Sequence, residues 1–128
     1  MANPPDAAPY GAPVPQARSG RLTLTALAKM VSAGERLAML TAYDASLAGV
    51  CDRAGVDILL VGDSLGMVIQ GHPTTLPVEL SHALYHTRCV VAGSTRPLVI
   101  TDLPFGTYQA GPEDAFRASA AALQAAAQ

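Results

Sequence analysis

The run Asp57-Ile-Leu-Leu-Val61, followed at once by Gly62-Asp63-Ser64, constrains this chain more than any other stretch. It is short, apolar and rich in β-branched residues, and it has neither the alternation of a half-buried strand nor the spacing of an amphipathic helix. Such a run reads as a strand of a parallel sheet covered on both faces. Polar groups released together at the carboxyl end of such a strand stand where α/β folds assemble their sites. Asp63 and Ser64 are therefore candidates for chemistry, although Gly-Asp-Ser is also ordinary turn composition.

The flanking segments repeat the same unit. Leu24, Leu27, Ala28 and Val31 recur at helical spacing after Thr23, and Gly34 is placed to close that helix. A strand is expected over 36–42. Asp44 is a candidate N-cap for a helix running through Leu47, Val50, Cys51 and Ala54 and ended by Gly55. The strand at 57–62 leads into a Gly-rich loop from Gly62 to Pro77. A helix then runs from about Glu79 to Val91, with Leu80, Leu84 and Cys89 on its apolar side. Pro97 to Thr101 is a third buried strand, ending in Asp102. Pro112 opens a last, Ala-rich helix with Glu113 and Asp114 in its first turn, where the helix dipole favours acids. A helix followed by three strand-helix units predicts an α/β fold with a parallel sheet, either open and doubly wound or a (β/α)₈ barrel. Three strands are too few for a barrel, which takes eight and typically about 250 residues, so a barrel here would be incomplete.

Residues 1–19 hold five prolines among alanines and glycines and read as a disordered leader, which leaves 20–128 as the folded part. Apolar residues make up 50% of the chain and charged residues only 14%, less surface charge than one small domain usually carries. The net charge of −2 comes without a basic stripe, which argues against nucleic acid as a partner. No apolar run approaches the roughly 20 residues of a membrane span. The amino terminus lacks the basic and continuous apolar regions of a secretory signal, so a cytoplasmic protein is expected. Cys51 and Cys89 lie far apart with no partner at ligand spacing and read as buried, reduced thiols.

Asp63 and Asp102 end successive strands on the carboxyl side. Consecutive parallel strands usually lie side by side, so both carboxylates should face one mouth. Two carboxylates suit a hard cation such as Mg²⁺, which takes oxygen ligands and keeps waters for a substrate to displace. His82 and His86 stand four apart on one helix, a spacing that can hold zinc, but no third ligand is near; a hydrogen-bonded or solvated pair is the simpler reading. His72 follows the Gly-rich loop, and Tyr43, at the end of the first strand, suits either the mouth or packing.

Six ordered segments, Leu40-Thr-Ala-Tyr-Asp-Ala-Ser46, Leu60-Val-Gly-Asp-Ser-Leu-Gly-Met67, Gln70-Gly-His72, Thr75-Leu-Pro77, Tyr85-His-Thr-Arg88 and Asp102-Leu-Pro-Phe105, resemble the ketopantoate hydroxymethyltransferase family from about Thr23 onward. The resemblance implies the N-terminal portion of a (β/α)₈ TIM barrel with a preceding plug helix, assembled as a homo-oligomer. It also implies hydroxymethyl transfer from 5,10-methylenetetrahydrofolate to 3-methyl-2-oxobutanoate, a 2-oxo acid, giving 2-dehydropantoate on the way to pantothenate. By the same likeness Asp63 and Asp102 are Mg²⁺ ligands that also contact the 2-oxo acid, and Ser64 holds its carboxylate. The Lys and Glu expected on the family's fourth strand, and the later Glu that serves as its general base, have no counterpart up to Gln128; no catalytic residue is therefore assigned within the chain, and an inactive fragment is expected.

Three other readings compete. Gly62-Asp63-Ser64-Leu65 matches the GDSL esterase motif, but that class needs a His base oriented by an Asp, often as a late Asp-x-x-His, which does not occur here. The isocitrate lyase and phosphoenolpyruvate mutase group shares the barrel and Mg²⁺, but the Gln-Gly-His and Asp-Leu-Pro-Phe segments favour the transferase. An incomplete barrel can also serve as a non-enzymatic assembly partner.

Overall fold

A computed structural model describes residues 20–126. The elements run α1 (Leu24–Ser32), β1 (Met39–Thr41), α2 (Ala45–Arg53), β2 (Ile58–Val61), α3 (Leu65–Val68), α4 (Leu80–Gly93), β3 (Leu98–Thr101) and α5 (Pro112–Ala126). The leader expected over 1–19 lies outside the described residues.

Local chemistry sets the helix ends. The Thr23 hydroxyl accepts from Ala26 N and the Asp44 carboxylate from Leu47 N, so both act as N-caps. Gly34 and Gly55 take φ of 79° and 85°, and each follows the C-cap residue of its helix, Ala33 and Ala54. In both cases the glycine N–H and the next N–H bond back to carbonyls of the last turn, which satisfies groups the helix leaves orphaned.

The three strands form a parallel sheet in the order β1-β2-β3, with Leu40, Leu59 and Val99 in register across it. Leu59 and Val61 are buried against Ala48 and Cys51 of α2 and Val90 of α4, so both crossover helices cover the same face of the sheet. The helices pack closely there: a Cβ on Gly93 would lie 2.2 Å from the Ala45 carbonyl oxygen. At the amino end, Leu22, Leu27 and Met30 form a second cluster on which Ile58 and Leu98 rest, and Leu22 N donates to Arg96 O at 2.7 Å. Helix α1 thus closes off the amino end of the sheet. No described helix is long and apolar enough to cross a membrane.

Six expectations need correction. The strand expected over 36–42 pairs only at Met39–Thr41, because Ala38 N–H is taken by the Asp57 side chain instead of a ladder partner. β2 is not covered on both faces: Ile58 and Leu60 are only half-buried, since both crossover helices pack on the other side. The Gly62–Pro77 loop contains α3, whose Leu65 is fully buried; that burial outweighs the loop-forming glycines. On α1, Leu24 and Val31 are exposed, and Leu27 with Met30 make the contact. On α4 the buried stripe is Ala83, Thr87, Val90 and Val91, whereas Leu80, Leu84 and Cys89 are half-buried; small residues let α4 approach its neighbours. Cys51 is buried as expected, Cys89 only partly, and both are free thiols.

Candidate functional site

All three strands deliver their next residues to one end of the sheet. Asp102 N donates to Val61 O at 3.0 Å, which sets Asp102 directly beside Gly62. A Cβ on Gly62 would sit 3.2 Å from Asp102 Oδ2 and 3.4 Å from Ser64 Oγ, so the bare glycine lets both oxygens close over the strand end. Asp63 and Asp102 line one open pocket of about 370 Å³ together with Leu103 and Tyr108. The end of β3 is pinned from the side by hydroxyls. Thr87 Oγ1 donates to Ala83 O, so the Thr101 hydroxyl must donate to Thr87 across 2.7 Å.

Ser64 does not stand alone. Its Oγ is 2.6 Å from the Tyr43 hydroxyl, and Tyr43 is buried at the end of β1. The Tyr43 carbonyl in turn meets His86 Nδ1 at 2.7 Å, and because a carbonyl can only accept, that nitrogen carries the proton. The His86 ring also stands edge-on to the Tyr43 ring, with centroids 6.3 Å apart. The other helix histidine is engaged elsewhere: Glu79 N donates to His82 Nδ1 in a capping arrangement. His82 and His86 thus each engage a separate partner through Nδ1, and among the described residues they belong to no group of three candidate metal ligands. His72 is half-buried in the turn after α3, where its N–H donates to Gly66 O.

The site is electronegative. Loss of solvent around the Asp102 carboxyl, followed by the negative charge of Asp63, raises its pKa above the usual aspartate value. A carboxylate penalised in this way is relieved by a cation. The donors present are all oxygen, which suits a hard divalent ion that keeps waters and takes one or two protein carboxylates. No group of three His, Cys, Asp or Glu residues able to hold a metal ion occurs among the described residues, so the pair would leave most coordination positions to water and ligand.

Asp63, Ser64 and Asp102, the residues singled out in the sequence, thus meet at one mouth. Tyr43 joins them through Ser64; its position at a strand end was the available signal, but a tyrosine there is equally suited to packing. Tyr108 was missed, because it comes from a loop without periodicity.

The sequence profile of the ketopantoate hydroxymethyltransferase family matches residues 21–128. The 3-methyl-2-oxobutanoate hydroxymethyltransferase of Thiobacillus denitrificans is 58% identical over 106 residues, which is 83% of this chain and 40% of that protein. Its counterpart in Ralstonia nicotianae is 58% identical over 107 residues, 84% of this chain and 39% of that protein. The Neisseria meningitidis enzyme of the same name is 53% identical over 106 residues, 83% and 40% of the two chains. The chain therefore spans about 40% of the length of the curated relatives it matches.

Proposed function

The chain belongs to the ketopantoate hydroxymethyltransferase family, and on that footing we propose that it is the N-terminal part of a (β/α)₈-barrel enzyme that transfers a hydroxymethyl group to 3-methyl-2-oxobutanoate. The observation that carries the site assignment is the meeting of Asp63 and Asp102 at one pocket with Ser64 beside them. Sequential strand order with both crossover helices on one face fits the barrel and equally one half of a doubly wound sheet, so it is membership of the family that favours the barrel. Helix α1 would be the plug at its amino end.

In this reading Asp63 and Asp102 hold a divalent cation of the magnesium type, and Ser64 donates a hydrogen bond to the substrate carboxylate. The cation would polarise the 2-oxo group and acidify the adjacent C–H. A base outside these 128 residues removes the C3 proton, and C3 bonds to the methylene carbon of 5,10-methylenetetrahydrofolate as the two bonds from that carbon to folate nitrogens break and the nitrogens take up protons. Water supplies the hydroxyl, and the products are 2-dehydropantoate and tetrahydrofolate. The residues here bind and orient; they do not move the proton. The whole protein would be a cytoplasmic homo-oligomer.

The esterase alternative loses support at Ser64, because the group on its Oγ is the Tyr43 phenol and no described histidine is hydrogen-bonded to it.

The test is completion. Residues 1–128 should be inactive alone and should form 2-dehydropantoate, in a divalent-cation-dependent way, when joined to the C-terminal remainder of the Thiobacillus denitrificans relative. In the completed protein Asp63→Ala should abolish both turnover and cation-dependent exchange of the substrate's C3 proton. Ser64→Ala should weaken binding of the 2-oxo acid by the worth of a hydrogen bond to a charged group, about 1.5–3 kcal/mol. Activity in residues 1–128 alone, or normal proton exchange in Asp63→Ala, would refute the assignment.

A further inference from the structure

Tyr43 has no part in the chemistry just described, yet its hydroxyl is 2.6 Å from the oxygen meant to hold the substrate carboxylate. Two hydroxyls at that distance share one hydrogen, and only one of them can donate. A phenol is the more acidic partner and so the better donor, while the serine oxygen is the better acceptor. Tyr43 is only 6% exposed, so water does not compete for its proton. With Tyr43 donating, the Ser64 hydrogen must turn away from the phenol. The room it finds is the space over Gly62, which also borders Asp102 Oδ2. A donor that is itself receiving a hydrogen bond is polarised and strengthened.

The phenol is also held firmly. It sits at the end of β1, where Ala42 N donates to Leu60 O, and its own carbonyl is gripped by His86 Nδ1 at 2.7 Å. Strand and helix together fix where the hydroxyl points.

We infer that Tyr43 is the positioning residue for Ser64: it makes the serine a one-way donor and so selects a 2-oxo acid over its uncharged amide. A carboxylate only accepts, and it matches such a donor. A carboxamide can also offer N–H groups, for which a serine already filled by a phenol has less accepting capacity. This inference rests on the functional reading above and adds the basis of carboxylate recognition.

The test is a double-mutant cycle in the completed protein with Mg²⁺ present, measuring by calorimetry the Kd of 3-methyl-2-oxobutanoate and of 3-methyl-2-oxobutanamide for wild type, Tyr43→Phe, Ser64→Ala and the double variant. Tyr43→Phe keeps the ring and removes the O–H. It should weaken binding of the acid about 3- to 10-fold, the range of one hydrogen bond, and lower the acid-to-amide preference. KM for the acid should rise by the same factor while kcat changes less than about twofold. In the Ser64→Ala background the Tyr43→Phe effect should vanish. An unchanged acid-to-amide ratio in Tyr43→Phe overturns the inference, as does an equal loss in both backgrounds. A partly unfolded variant lowers the active fraction for both ligands alike, leaves their ratio unchanged and counts against it. If the wild type binds neither ligand, the functional reading falls and takes the inference with it; if it binds the acid and Tyr43 is uncoupled from Ser64, only the inference falls.

Discussion

Arg96 Nη2 lies 2.6 Å from Asp57 Oδ1 at the amino end of the sheet, and this ion pair ties all three strands together. The other carboxylate oxygen of Asp57 accepts from Ala38 N just before β1, while Arg96 just before β3 also donates to the carbonyls of Gly55 and Val56. Asp57 itself leads into β2. The pair is largely shielded, with side-chain exposures of 14% for Arg96 and 8% for Asp57. Removing one partner strands the other charge away from water. Arg96→Leu should therefore destabilise the folded protein by about 3–5 kcal/mol, measured by chemical denaturation of the completed protein. Asp57→Asn, which keeps an acceptor for Ala38 but leaves the Arg96 charge unpaired, should cost nearly as much; a negligible cost would contradict the charge-based account.

Gly93→Ala should cost about 1–3 kcal/mol or more, although alanine is the better helix former. The added methyl would meet Ala45 backbone atoms at 2.2–2.7 Å, and backbone cannot step aside as a side chain can. Gly111→Ala is the control, because nothing lies within 4 Å of its Cβ position. Melting midpoints of the two variants should differ clearly, and similar values would mean that α2 and α4 are not held at this separation.

The raised pKa of Asp102 gives a pH dependence of definite sign in the absence of divalent cation. Over the window between the ordinary aspartate value and the raised one, the folded protein keeps a proton that the unfolded chain has lost. Stability contributed by this group is present below that window and is lost as pH rises through it. Asp102→Asn should consequently be more stable than wild type at neutral pH, and the difference should shrink toward pH 4. Added Mg²⁺ should stabilise the wild type and not the variant. A variant less stable than wild type at neutral pH without metal would show that the carboxylate is not under strain.

Residues 1–128 alone should self-associate and bind an apolar dye such as anilinonaphthalene sulfonate. Leu24, Phe116 and Leu123 are 74%, 74% and 71% exposed, and an apolar groove of about 360 Å³ runs along β3 between Leu24 and Leu123. An apolar sheet edge of this kind attracts further strands. Light scattering after size exclusion should show polydisperse species; a sharp monomer peak without dye binding would overturn the expectation.

Much was legible in the sequence because it depends on neighbours along the chain. Asp44 as a cap, Gly34 and Gly55 as helix stops and the apolar run before Gly62 are decisions made within a few residues. The placement of Asp63, Ser64 and Asp102 at strand ends followed from the same local order. Tertiary structure decided what depends on contacts between distant segments. Which face of α1 and α4 is buried was settled by the close approach of Gly93 to Ala45 and by the seat of Leu27 and Met30 on Ile58 and Leu98. The turn that became α3 was set by the burial of Leu65. The bond between Tyr43 and Ser64 joins residues that follow different strands, 21 positions apart, and no local preference encodes it. Periodicity reports which residues prefer to leave water, whereas only the packed chain determines what they meet.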